Sequence, residues 1–153
     1  MTDEPPRVTR VAAYAVCVDE TQRILLCRLA PGATRDRDGW WTLPGGGLEH
    51  GEHPRDGVLR ELAEETGLAG VVVELLEIDS WSRVFPAWGD VAAGDLHSVG
   101  ILYRVQITGG TLRPEQDGTT DEARWFTLDE ARDAPIVEIV ELALGRIGHR
   151  PVD

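Results

Sequence analysis

The stretch from Pro44 to Leu68 constrains this chain more than any other. Three consecutive glycines, Gly45, Gly46 and Gly47, lead towards a helix signal that opens at Pro54 and closes at Gly67. Proline suits the first helical position, where its missing N–H is no loss, and glycine supplies the left-handed residue that stops a helix. Asp56 falls in the first turn, where negative charge complements the helix dipole. Within the helix Glu61, Glu64 and Glu65 stand at i, i+3 and i+4, so at about 100° per residue they share one arc. Val58, Leu59, Leu62 and Ala63 fill the adjoining arc, which is expected to face a core. Clustered carboxylates repel one another, and hard divalent cations such as Mg²⁺ and Mn²⁺ relieve that repulsion by taking carboxylate oxygens as ligands. An isolated acidic arc of this kind also reads as a solvated helix face.

The spacing decides between those two readings. Gly46, five residues, Glu52, seven residues, then Arg60-Glu61-Leu62-x-Glu64-Glu65-x-Gly67-Leu68 resembles the Nudix box at every defined position. The resemblance implies a mixed, curved sheet between helices, an α/β/α sandwich spanning the whole chain. It further implies hydrolysis of a nucleoside diphosphate linked to another group: a nucleoside triphosphate, a nucleotide sugar or an ADP-ribose type of substrate. The alternative within the family is a catalytically silent domain that binds such a ligand as a sensor, and the intact set of glutamates argues against it.

Roles carry over position by position from that resemblance. Glu61, Glu64, Glu65 and the Gly45 carbonyl are the expected ligands of Mg²⁺ or Mn²⁺, and Glu61 also matches a proposed general base. Arg60 is expected to orient a box glutamate. Glu52 is expected to brace loop and helix through an ion pair with Arg60 or Arg55. A further carboxylate from a later loop is expected as ligand or base; of Glu115, Asp117, Asp121 and Glu122, the choice falls on Glu122. Pro86 and Phe85 do not match the marker positions of the ADP-ribose or diadenosine polyphosphate subfamilies, so the resemblance stops at the family.

Length and composition set the outer bounds. A chain of 153 residues with 42% hydrophobic and 27% charged residues reads as one globular domain, 1–153, with 1–6 as a loose terminus. A net charge of −12 argues against a broad nucleic-acid or anionic-membrane surface. The expected partner is a small nucleotide-type molecule, and a homodimer is left open. All 15 basic residues are Arg, which excludes lysine nucleophiles and Schiff bases. Cys17 and Cys27 are too few for a disulfide framework and are expected as buried free thiols. No signal peptide or apolar span of membrane length is apparent, and the expected location is cytoplasmic.

The remaining elements follow from pattern. Val8 to Val18 and Arg23 to Leu29 read as strands around an Asp19–Gln22 turn, and are expected to pair as a hairpin. Arg28 reads either as a phosphate contact or as a solvated edge charge. Trp40 to Leu43 feeds the glycine loop. Val71 to Ile78, continued by Ser80 to Phe85, reads as a strand, followed by a mobile loop, Pro86 to Gly94. His97 to Ile107 and Glu122 to Phe126 are further strands. Thr127 to Glu130 resembles a capping box, and Ile136, Ile139, Val140, Ala143, Leu144 and Ile147 form a packing stripe on a last helix. Trp81, Arg83 and Phe85 are the expected contacts to the organic half of the substrate, with Trp81 read equally as a core residue.

Overall fold

The computed structural model describes residues 4–147. The expected loose terminus therefore lies partly outside the described residues; within them, the Pro6 carbonyl accepts a hydrogen bond from Asp95 N. Ten elements follow in order: β1 (Arg7–Val16), β2 (Arg23–Leu29), β3 (Trp41–Thr42), β4 (Gly45–Gly47), α1 (Pro54–Thr66), β5 (Leu68–Phe85), β6 (Gly94–Gly110), β7 (Thr120–Thr127), α2 (Leu128–Asp133) and α3 (Glu138–Ile147).

The strands form two ladders. One sheet runs β4-β1-β6-β5 and the other β3-β2-β7. β1 and β6 pair parallel, while β1–β4 and β5–β6 pair antiparallel, so the larger sheet is mixed. The expected β1–β2 hairpin survives only at its turn, where Asp19 N donates to Arg23 O and Leu25 N to Cys17 O. Beyond that the strands part, because β1 has both edges taken by β4 and β6, and β2 both edges taken by β3 and β7. Both strands are also covered on both faces. Ala12, Ala13, Ala15 and Val16 of β1 and Ile24 to Cys27 of β2 are fully buried. Such strands carry apolar runs instead of a clean alternation.

Helices cover the larger sheet on both faces. On one, Val58 and Leu62 of α1 pack against Ala13, Ala15, Tyr103 and Val105. On the other, Val140, Ala143 and Leu144 of α3 pack with Val16, Leu102, Trp41 and Phe126. This is the α/β/α arrangement. α1 departs from its expected packing arc in one respect: Ala63 is exposed, while Glu65 and Thr66 are buried. Thr66 meets that burial by donating its hydroxyl to the Leu62 carbonyl and accepting from Leu68 N.

β5 lies at the far edge of its sheet from β4, and its pairing with β6 shifts register three times, between Ala69 and Gly70, Val72 and Glu74, and Leu75 and Glu77. From Glu77 to Phe85 the register is continuous, so Glu77, Trp81, Arg83 and Phe85 share a face. Glu77 pairs with Arg146 of α3, which identifies that face as the α3 side. The expected mobile loop is a short hairpin tip, closed by reciprocal backbone hydrogen bonds between Trp88 and Val91.

Candidate active site

The site begins with a close approach. Gly45 has φ +150°, and a Cβ there would fall 2.2 Å from the Ala13 carbonyl oxygen, so only glycine lets β4 lie this tightly on β1. At Gly46 a Cβ would meet Glu61 Oε1 at 3.0 Å, so the α1 carboxylate rests directly on the glycine strand. α1 is aimed by its ends. His53 Nδ1 accepts from Arg55 N at the N-cap, and Gly67 closes the helix with φ 74°.

Arg60 organises the charges. Its Nε and Nη2 each reach Glu52 at 2.8 Å, a two-pronged pair. Its Nη1 reaches Glu61 at 3.1 Å and Glu64 at 3.2 Å. Nη2 also donates to the Gly47 carbonyl. Of the two partners expected for Glu52, Arg60 is the one in contact. Hydrogen bonds from Arg60, then from Glu49 N, hold the Glu52 carboxyl down at about 2. The Arg60 guanidinium is correspondingly pushed up, first by Glu52.

Glu61 and Glu65 form the inner pair. Glu65 is only 3% exposed, and its Oε2 accepts from Gly45 N at 3.2 Å. Burial raises Glu65 well above the carboxylate range, partly opposed by the Gly45 N–H and reinforced by the charges of Glu61 and Glu115. Glu61 is raised too, by burial first, against the pull of Arg60. In the metal-free site the charge of Glu61 adds to burial in raising Glu65. Glu64 is half exposed and turned to Arg60. Among the described residues no group of three carboxylates, histidines or cysteines stands at ligand spacing. The three glutamates are thus brought together as a buried pair with a third held aside.

Behind the pair stands Cys27, which no local pattern singled out for the site. Burial, followed by the charge of Glu65 and a hydrogen bond to it, pushes the Cys27 thiol well up. Cys17 is pushed up by burial to about 12, and both thiols are free. Their high values make them inert packing groups at neutral pH.

The later carboxylates divide. Arg28 is clamped between Asp121 and Glu122, each at 2.8 Å, so Arg28 and Glu122 neutralise each other. Glu115 accepts from the Thr120 hydroxyl at 3.1 Å, and its charge acts on both Glu65 and Cys27. Of the candidates read from sequence, Glu115 is the one whose field reaches the inner pair.

The aromatic group lies elsewhere. Trp81 is 45% exposed, which removes it from the core. It meets Phe85 edge to face at 6.4 Å, and the Arg83 guanidinium sits 4.8 Å over the Phe85 ring. With β4 and β5 at opposite edges of four strands, Trp81 stands about 14 Å across the sheet from the glycine strand.

The NUDIX domain family matches residues 8–142. A MutT-like protein of Streptomyces ambofaciens is 33% identical over 125 residues, 82% of this chain and 68% of that protein. The 8-oxo-dGDP phosphatase of Homo sapiens is 29% identical over 152 residues, and this chain spans only 42% of its length. The crystal structure of a MutT NUDIX hydrolase from Burkholderia pseudomallei superposes with a TM-score of 0.68 at 26% identity, covering 92% of this chain and 99% of that one. Box, fold and relatives agree, and the chain is a member of the Nudix hydrolase family.

Proposed function

We propose that this chain hydrolyses the pyrophosphate bond of a nucleoside diphosphate linked to another group. The observation that carries the reading is the Glu61–Glu65 pair on the glycine strand, Glu61 against Gly46 and Glu65 buried and accepting from Gly45 N. The donor set fits a hard divalent cation, Mg²⁺ or Mn²⁺: two carboxylates on the glycine strand, a third within the same helix turn, and backbone carbonyls beside residues without side chains. Glu61, Glu65 and the Gly45 carbonyl would hold it, with Glu64 completing the set on release from Arg60. When bound, such a cation neutralises pyrophosphate charge and lowers the pKa of a bound water.

The chain's own residues do the rest. Water attacks one phosphorus, its oxygen forming the new P–O bond as the bridging P–O bond breaks, and the proton leaves towards a carboxylate. Glu61 is the leading acceptor of that proton, at Oε1 or Oε2. Arg60, braced by Glu52, keeps the Glu61 carboxylate aimed at the glycine strand. Glu115, in place of the Glu122 chosen from sequence, would support the site from the loop before β7. Trp81, Arg83 and Phe85 offer the exposed aromatic and cationic surface for a base or sugar.

A substrate panel tests the proposal. ADP-ribose, a nucleotide sugar, dGTP and 8-oxo-dGDP are incubated with Mg²⁺ or Mn²⁺, and release of phosphate or nucleoside monophosphate is measured. Turnover of at least one, rising from neutral pH towards about 8 to 9, is the expected result. A chain that binds these compounds and releases nothing would instead be a sensor.

A further inference from the structure

The substrate of such a site is a polyanion and the chain carries a net charge of −12, so some cation must meet the phosphate that the metal does not. Four arginines are already paired. Arg60 is held by Glu52, Glu61 and Glu64, Arg28 by Asp121 and Glu122, Arg37 by Glu138, and Arg146 by Glu77. Arg10 differs. Among the described residues it has no carboxylate partner, and its one side-chain hydrogen bond goes to the neutral Tyr14 hydroxyl at 3.3 Å.

Its position gives that free charge a direction. Tyr14 packs into the α3-side core, so Arg10, four residues earlier on the same strand, stands on the α3 face. There its Nε lies 3.7 Å from where a Cβ on Gly47 would be. Gly47 is two residues along β4 from Gly45, a displacement of roughly 7 Å. Across the sheet, Arg10 is in register with Ser98, and Ser98 with Trp81. The next row is Ala12, Gly100 and Asp79. Between Arg10 and Trp81 the sheet carries the small residues Ala12, Ser98 and Gly100, all buried, with Tyr14 and Ile139 against Gly100.

We infer that Arg10 anchors the substrate's second phosphate beside Gly47, with the first phosphate at the glycine strand. The inference rests on the reading of the site given under Proposed function. A guanidinium is suited to this role, because its planar fork matches two phosphate oxygens at once. Swinging away from Tyr14 breaks only one hydrogen bond, to an uncharged acceptor. Arg10 is thus a positioning residue: it touches substrate at a phosphate and takes no part in proton transfer.

Binding separates this inference from the hydrolytic reading. Calorimetry is run on the full chain with Mg²⁺ and, in turn, ADP, dGDP and inorganic pyrophosphate, for wild type, Arg10→Gln, Arg10→Lys and Tyr14→Phe. Arg10→Gln should weaken diphosphate binding about tenfold or more. Arg10→Lys should recover part of that loss, since it keeps the charge without the fork. Tyr14→Phe should stay within about twofold of wild type, because it frees the guanidinium without removing it. Mn²⁺ affinity and melting temperature should not move in any variant. On whichever panel compound is turned over, the effect should fall on KM with kcat nearly unchanged. Undiminished diphosphate binding by Arg10→Gln overturns the inference, as does a wild-type chain that binds none of the three probes. If no panel compound is hydrolysed yet Arg10→Gln still loses diphosphate binding, the hydrolytic reading fails and the anchoring role stands.

Discussion

Two regions of the larger sheet are built on opposite plans. Around α1 the inward-facing charges are answered: Arg60 hydrogen-bonds three carboxylates and a carbonyl, and Gly45 N meets Glu65. Along the outer half of β5 little is answered. Trp81, Val84 and Ile78 stand 45%, 60% and 55% exposed, and Arg83 rests on a ring. The first plan suits groups that must hold one geometry before a substrate arrives. The second suits a surface whose partners come with the substrate. On the function proposed above, the first would be the reacting end and the second the recognising end of one sheet.

Removing an inner carboxylate should have the largest effect. Glu61→Gln or Glu65→Gln should cut kcat by about a hundred- to a thousandfold while the melting temperature of metal-free protein stays level or rises, because repulsion is relieved. Wild-type turnover in either variant would remove the glutamates from the chemistry.

Arg60→Ala comes next. It strips the counter-charge from Glu52, Glu61 and Glu64 together, so the melting temperature should drop by roughly 5 °C. In a double-mutant cycle with Glu52→Gln the two losses should fall well short of additive. Simple additivity would mean that the network seen around Arg60 does not act as a unit.

Trp81→Ala probes the open region. A base stacked on the indole loses about 1 to 3 kcal/mol, so KM should rise about tenfold, with Mn²⁺ binding and melting temperature nearly constant. A large fall in stability with KM unaltered would reverse the contrast between the regions.

The pH dependence of stability has opposite signs in two places. In metal-free protein Glu65 is raised from 4.5 to about 9, so the folded chain binds more protons than the unfolded one across that window. Stability should therefore decline as pH rises from about 4.5 towards 9, and added Mg²⁺ should remove the decline. Glu138 is lowered from 4.5 to about 2 by Arg37, so its contribution is present above 4.5 and fades as pH falls to 2. It is largely exposed and screened, so that second slope should be shallow. Denaturant titrations across pH, with and without EDTA, measure both.

What could be read in sequence was mostly what adjacent residues decide. Pro54 and Gly67 mark both ends of α1, Arg23 and Leu29 bound β2, and Thr127 with Glu130 forms the expected capping box. Helical spacing placed Glu61, Glu64 and Glu65 on one arc. It carried no information on which would turn inward, because Glu65 is drawn in by packing against β4 and Cys27, far away in sequence. Arg28 was ambiguous for the same reason, since its partners lie more than ninety residues later. The failed hairpin is the broadest instance. The turn at Asp19 is local, but β1 takes its neighbours from residues 45–47 and 95–104, and no nearby residue announces them.

β5 ends its sheet with an unanswered row of backbone groups, and such edges recruit strands from other molecules. Its three register shifts fall about every three residues between Ala69 and Glu77. A bulge tilts the strand and sets one residue out of line. An incoming chain would find matched donors and acceptors for only a few positions before the pattern slipped. These register shifts therefore keep the half of β5 in which Val71, Val73 and Leu75 are exposed from seeding a stack of copies.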